Sequence, residues 1–235
     1  MLNRVKTVVR KMPILGPMAV RLHLPFKTSS DYWEKRYVKG GNSGVGSYGR
    51  LAHFKAEFLN DFVKQHQINS VIEYGCGDGS QLKLARYPSY TGIDVSSRAV
   101  EICRALFTTD RSKRFFHTDA VKIPLVTDLA LSLDVVYHLV EDSAFENYMH
   151  KLFDSAQRFV IIYSSNLDDP TPTRHVRHRH FTSWVEQYRP QWHVTAHVAN
   201  VYPYDPASSS DTSLADFYVF APRHPQVTTI AQSQA

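Results

Sequence analysis

Between Leu51 and Val63 the apolar residues Leu51, Phe54, Phe58, Leu59, Phe62 and Val63 recur at helical spacing. Asn69 and Ser70 interrupt that period before an apolar run opens at Val71, which predicts a helix leading into a buried strand. A second strand is expected over Tyr90–Val95, reached through a helical stretch from Gln81 to Arg86 that Pro88 closes. Ser96 and Ser97 then offer an N-cap to a helix carrying Val100, Ile102, Cys103, Leu106 and Phe107. Further strands read at Arg114–His117, Leu129–Leu133 and Arg158–Tyr163, with a helix from Ala144 to Ala156 between the last two. Beyond a polar loop reaching His180, a short helix is expected over Phe181–Tyr188, with strands over Trp192–Val201 and Asp216–Ala221. Strands alternating with helices require a parallel sheet covered on both faces. The expected fold is therefore α/β.

At 235 residues the chain can build one sizeable core, and its composition, 43% hydrophobic and 21% charged, is that of an ordinary globular domain. Two cysteines, Cys76 and Cys103, exclude a disulfide framework or thiolate metal cluster and suit a reducing, cytoplasmic setting. The net charge of +5 is uneven. Arg4, Lys6, Arg10, Lys11, Arg21 and Lys27 all precede the first acid, Asp31, so the rest of the chain carries about −1. With Leu2, Val5, Val9 and Met12 at helical spacing among those cations, residues 1–30 form a basic segment suited to peripheral contact with an anionic membrane face, or to a simple basic tail. The near-neutral remainder argues against a broad nucleic-acid footprint. The apolar run from Met12 to Val20, broken by Pro13, Gly16 and Pro17, is too short to span a bilayer. The domain is expected over residues 31–222 and a disordered tail over 223–235.

The chemistry starts at VIEYGCGDGSQL, residues 71–82, in the first strand-to-helix turn, where glycines let backbone approach a ligand. Gly75, Gly77 and Gly79 alternate, and Ser80 stands where a dinucleotide fingerprint needs its third glycine. Glu73 would repel a pyrophosphate but suits a ligand bearing an ammonium group.

This stretch resembles motif I of class I S-adenosylmethionine-dependent methyltransferases, and later matches follow in order. Asp94, 19 residues after Gly75, ends the second strand in GIDVS; Asp119 follows the third in HTDA; LSLDVVYHL ends the fourth, with Tyr137 in place of the family's glutamate. The resemblance implies a Rossmann-like, seven-stranded, mostly parallel sheet with an antiparallel final strand pair, and S-adenosylmethionine as cofactor. It implies that Glu73, Gly75, Gly77, Gly79, Asp94, Val95, Asp119 and Ala120 bind that cofactor, with Asp94 on the ribose hydroxyls and Asp119 on the adenine amino group. The chain is also similar to small bacterial methyltransferases associated with glycan biosynthesis, which implies a sugar or other small hydroxylated acceptor, anionic ones included. An oxidoreductase, a nucleic-acid methyltransferase and a cofactor-binding domain without turnover are the competing classes.

Methyl transfer to a hydroxyl needs positioning and a base. His138, just past the fourth strand, is the candidate base, with a packing role as the alternative, and Asp134 either orients it or lines the pocket. Tyr137 and Tyr163 are further pocket candidates. In RHVRHRH, Arg174, Arg177 and Arg179 suit an anionic substrate or a solvated loop, while arginines between His175, His178 and His180 disfavour a metal site. The glycine-rich segment before Arg50 reads as a lid in which Tyr48 meets substrate and Arg50 reaches the cofactor's methionine carboxylate, or as a plain connection.

Overall fold

A computed structural model describes residues 26–121, 125–168 and 175–223. Its seven strands are β1 (Val71–Tyr74), β2 (Tyr90–Asp94), β3 (Lys113–His117), β4 (Thr127–Leu133), β5 (Ala156–Ser164), β6 (Trp192–Val198) and β7 (Asp216–Pro222). They lie in the order β3-β2-β1-β4-β5-β7-β6. Pairings from β3 through β5 are parallel, and β7 runs antiparallel to both β5 and β6. The helices are α1 (Ser29–Val38), α2 (Gly49–Gln65), α3 (Ser97–Leu106), α4 (Asp142–Asp154) and α5 (Phe181–Tyr188).

The strand pleat divides the core in two. Val71, Leu129, Leu131, Ile161 and Phe217 face α2 and α3, whereas Ile72, Ala130, Val160, Ile162 and Phe220 face α4 and α5. Burial on both faces explains why the central strands read as continuous apolar runs. Ser96 caps α3 by accepting from the Ala99 N–H at 3.1 Å, as its residue type predicts.

Several elements depart from expectation, β4 and β5 each by starting two residues early. The stretch from Gln81 is a single 3-10 turn, Gln81–Leu84, because Ala85 goes extended ahead of Pro88. The strand expected to reach Val201 ends at Val198, where Asn200 turns the chain by giving its N–H to Asp216 at 2.8 Å. The helix expected from Ala144 starts two residues earlier, at Asp142. The basic segment before residue 26 and the tail from 224 lie outside the described residues. Among those described, no helix is long and apolar enough to cross a membrane.

The strand order reverses at β1, whose neighbours are β2 and β4. In open α/β sheets that reversal opens a crevice at the carboxyl ends of the strands. The site lies there.

Candidate active site

A cleft of about 330 Å³ runs across the carboxyl ends of β1, β2 and β4. Its floor is the turn after β1. Gly75 sits at φ +84°, and a Cβ there would meet Val135 Cγ2 at 2.4 Å; Gly77 sits at φ +57°, and a Cβ there would meet Ser43 Oγ at 2.4 Å. Both the backbone conformation and the crowding exclude side chains at these two positions.

Asp94, at the end of β2, anchors that turn. Its carboxylate accepts the Gly77 N–H at 2.9 Å and the Ser96 N–H at 2.8 Å. Burial pushes its acid dissociation up to about 6, against the pull of those backbone donors. The Val95 N–H pulls in the same direction, and the carboxylate lines the cleft. Glu73, also buried in the wall, is raised to about 7 by desolvation, although Tyr90 donates its hydroxyl to it at 2.6 Å.

The roof comes from α1 and the segment after it. Trp33, Tyr37, Ser43 and Ser47 line the cleft. Ser43 is fixed to the floor twice: its N–H donates to Asp78 Oδ2 at 3.0 Å, and its Oγ accepts the Asp78 N–H at 2.9 Å. Tyr48 adds its hydroxyl to the same carboxylate oxygen at 2.7 Å. The glycine-rich segment therefore lies on the floor as a cover rather than hanging free.

His138 forms the wall beyond β4. Its Nδ1 lies 2.9 Å from the His175 carbonyl, which can only accept, so Nδ1 carries the proton and Nε2 holds the lone pair in the neutral ring. The ring meets Trp33 edge-on at 4.9 Å and stacks with His175 at 5.8 Å. Desolvation lowers its acid dissociation to about 4, so the ring is neutral at pH 7.

A family model for a methyltransferase domain matches residues 71–158. The fold agrees with it. The N-methyltransferase NodS from Bradyrhizobium japonicum WM9, solved with S-adenosyl-L-homocysteine, is similar with a TM-score of 0.63 over 84% of this chain and 100% of its own, at 14% identity. Magnesium protoporphyrin IX methyltransferase from Synechocystis PCC 6803 gives 0.58 over 83% and 98%, at 15% identity. The methyltransferase domain of a bacterial Hen1 gives 0.53 over 71% and 97%, at 20%. Residues 71–158 thus carry a methyltransferase domain, on a fold shared with methyltransferases solved with S-adenosylmethionine or S-adenosyl-L-homocysteine bound. No curated protein matches it in sequence. The floor suits that cofactor, because the cradle over Gly75 and Gly77 is one a Cβ would fill, and Asp94 and Glu73 bring acids to a ligand rich in hydroxyl and ammonium donors.

Of the residues singled out from the sequence, Glu73, Gly75, Gly77, Asp94, Val95, Asp134 and His138 line the methyltransferase cleft. Gly79 stands behind it, against Cys103 and Phe107. Several others are elsewhere. Arg50 turns away, giving Nε–H to the Asp211 carbonyl at 2.7 Å and lying 4.4 Å over the Tyr202 ring, and does not line the cleft. Asp119 has 83% of its side chain exposed and pairs with His117 at 3.6 Å; Ala120 is exposed as well, and Thr118 lines the cleft in their stead.

Asp134 does not orient His138. It adopts φ +59° and directs its carboxylate to Lys55 Nζ and, at 2.8 Å, to the Tyr137 hydroxyl. Tyr137 thereby serves Asp134 and does not line the cleft, while Tyr163 is a core residue, 1% exposed, accepting from Asn200 Nδ2 at 2.8 Å. Tyr48 holds the cover. Arg177 and Arg179 are committed to Asp142 at 3.1 and 2.6 Å and to the Val140 carbonyl at 3.0 and 2.9 Å, so they are not presented to an anionic ligand. Arg174 lies outside the described residues. His178 binds Ser165 Oγ at 2.6 Å and His180 binds Ser183 Oγ at 2.8 Å, which disperses the histidines.

Lys55, Trp33, Tyr37 and Asp78 were not singled out from the sequence, nor was the contact of Ser43 with Asp78. Lys55 had a signal: it stands midway between Leu51 and Leu59 on the buried stripe of α2, where a charge has no structural reason to be. Asp78 and Ser43, 35 positions apart, had none.

Proposed function

We propose that this methyltransferase acts on a hydroxyl of a small polar acceptor, with a sugar as the leading candidate. The observation that carries the reading is His138, whose Nδ1–H is spent on the His175 carbonyl so that Nε2 remains a neutral acceptor in the cleft wall. When bound, S-adenosylmethionine supplies an electrophilic methyl group. The protein's own contribution is positioning and proton removal. Gly75 and Gly77 would give the cofactor close backbone approach, and Asp94 would take its ribose hydroxyls. His138 Nε2 takes the proton of the acceptor hydroxyl. Trp33 and the segment over Ser43 and Ser47 exclude water above it.

Trp33 beside His138, with Ser29, Ser30 and Asn147 also lining the cleft, matches an acceptor presenting an apolar ring face and several hydroxyls. Engagement of Arg177 and Arg179 within the protein leaves the anionic group of such an acceptor unsupported by that loop. A role near the cytoplasmic membrane face, through the basic N-terminus, belongs to the same proposal.

The test is calorimetric titration with S-adenosylmethionine, S-adenosylhomocysteine and NAD, repeated on Asp94→Ala. The first two should bind the wild type, and the variant should lose roughly 10- to 100-fold, as expected for charge-assisted hydrogen bonds. A screen of nucleotide sugars and lipid-linked glycans follows. Binding of NAD alone would overturn the cofactor reading, and turnover on RNA or DNA but on no sugar would overturn the acceptor class.

A further inference from the structure

The RHVRHRH stretch is joined along its length to the segment that carries His138. The Arg177 N–H donates to the Tyr137 carbonyl at 2.8 Å, and its guanidinium donates to the Val140 carbonyl at 3.0 Å. Arg179 Nη2 donates to the Leu139 and Val140 carbonyls at 3.3 and 2.9 Å. With the His138 Nδ1–H on the His175 carbonyl, four consecutive residues, Tyr137, His138, Leu139 and Val140, bond to residues 175–179. A stretch whose residue types suit a ligand or a metal is thus spent on the segment around His138.

Helix α1 closes on the same place from the other side. The Tyr32 ring stacks on the His175 ring with centroids 4.5 Å apart and planes 17° apart, and Trp33 meets His138 edge-on. Arg36 donates Nη1–H to the Tyr32 hydroxyl at 3.3 Å and lies 5.4 Å over Trp33. The start of the helix is pinned by Ser29, whose Oγ donates to Glu141 at 2.6 Å and accepts the Val140 N–H at 3.0 Å. Half-buried His175 therefore has Tyr32 against its ring and His138 on its carbonyl. An aromatic stack of this kind contributes about 0.5–1.5 kcal/mol beyond area burial, as much as the net worth of one hydrogen bond. That is enough to decide whether a loop carbonyl stays in place. In a neutral imidazole either nitrogen carries the proton, and the hydrogen bonds around the ring set which one does.

We infer that Tyr32 and His175 are positioning residues for His138: the Tyr32 ring holds His175 so that its carbonyl keeps the proton on Nδ1 and leaves Nε2 to the acceptor hydroxyl. This rests on the base reading above. It makes the base competent only while α1 lies over the cleft, and it gives the RHVRHRH stretch a role that acts through His138 without touching substrate.

The test is imidazole nitrogen NMR on the full-length, isotope-labelled protein, as wild type, Tyr32→Ala, Tyr32→Phe and His175→Ala, with His138→Gln assigning the signal and circular-dichroism melting confirming each fold. Wild-type His138 should carry its proton on Nδ1 at neutral pH. Tyr32→Ala should move about half or more of the ring to the Nε2–H form, and Tyr32→Phe, which keeps the stack, should restore Nδ1–H. His175→Ala keeps the carbonyl but loses the ring, and should behave as Tyr32→Ala. The charged or titratable groups facing His138 are His175, Asp134 at the end of β4 and Arg36 of α1, with the Tyr137 hydroxyl committed to Asp134. Desolvation outweighs them all, so opening the stack to water should also raise the acid dissociation of His138 from about 4 toward 6.5. A lowered melting temperature with His138 still in the Nδ1–H form would mean that Tyr32 only packs, and would overturn the inference while leaving the base reading intact. An Nε2–H form in the wild type would overturn both. A Tyr32-dependent Nδ1–H form, with kcat unchanged in His138→Ala, would uphold the positioning and overturn the base reading alone.

Discussion

The floor and the roof of the cleft are built on different principles. The floor is local: Gly75, Gly77 and Asp94 fall within 20 positions, and strand geometry with two backbone hydrogen bonds to Asp94 brings them together. The roof is assembled from α1, Ser43 and His138, which meet through side chains separated by 35 to more than 100 positions, as in Ser43 with Asp78 and Ser29 with Glu141 at 2.6 Å. The floor would survive many substitutions in the roof. The roof cannot close without the floor's missing side chains, because Ser43 Oγ occupies the space a Cβ on Gly77 would need.

The largest expected effect tests the roof. His138→Ala should lower kcat by roughly 10²- to 10⁴-fold, the usual worth of general base catalysis, with the affinity for S-adenosylmethionine changed little. A loss confined to KM would assign His138 to packing instead. The pH profile sharpens this. His138 must be neutral to accept a proton, and burial holds its acid dissociation near 4 rather than 6.5. Activity should therefore persist from neutral pH down to about 5 and fail as the pH approaches 4. The same depression has a stability consequence. Between pH 6.5 and 4 the unfolded chain binds the proton that the folded ring refuses, so this contribution is fully present above 6.5 and is lost as the pH falls. Glu73, raised to about 7, works in the opposite sense, contributing below its unfolded value and losing that contribution as the pH rises through 7.

Next in size is the joint between the two regions. Gly77→Ala should destabilise the protein by about 1–3 kcal/mol, since it combines a left-handed backbone with a clash against Ser43 and Tyr37. Hydrogen exchange should show the cover opening while β1 and β2 stay protected. Uniform loss of protection would mean that floor and roof are one cooperative unit. The smallest effect is expected at Arg50→Ala, which should leave the affinity for S-adenosylmethionine within about 2-fold, because Arg50 packs on Tyr202 outside the cleft. A larger loss, read by calorimetry, would return it to the cofactor site.

The difference between the two regions is also a difference in legibility. Hydrophobic periodicity located every strand of the sheet and the helices α2 to α5, because each buries a face whose spacing is written locally. The glycine turn and Asp94 were legible for the same reason: a backbone that must approach a ligand excludes Cβ atoms at fixed offsets. Residues whose partners lie far along the chain were misplaced. The aromatic and basic side chains at Tyr163, Arg177 and Arg179 had the chemistry of a binding site, but their partners, Asn200, Asp142 and the Val140 carbonyl, absorb them into the structure.

The sequence by itself determined the layered α/β sheet and the crevice at the end of β1, since both follow from short-range spacing, while the methyl-transfer chemistry entered through the resemblance of its ordered motifs to a known family. Only the tertiary structure decided which cation faces the cleft, which nitrogen of His138 keeps its lone pair, and what covers the glycine turn. Those outcomes turn on which of several competing hydrogen-bond partners reaches each polar group first, and that competition is resolved by packing between distant segments rather than by the residues themselves.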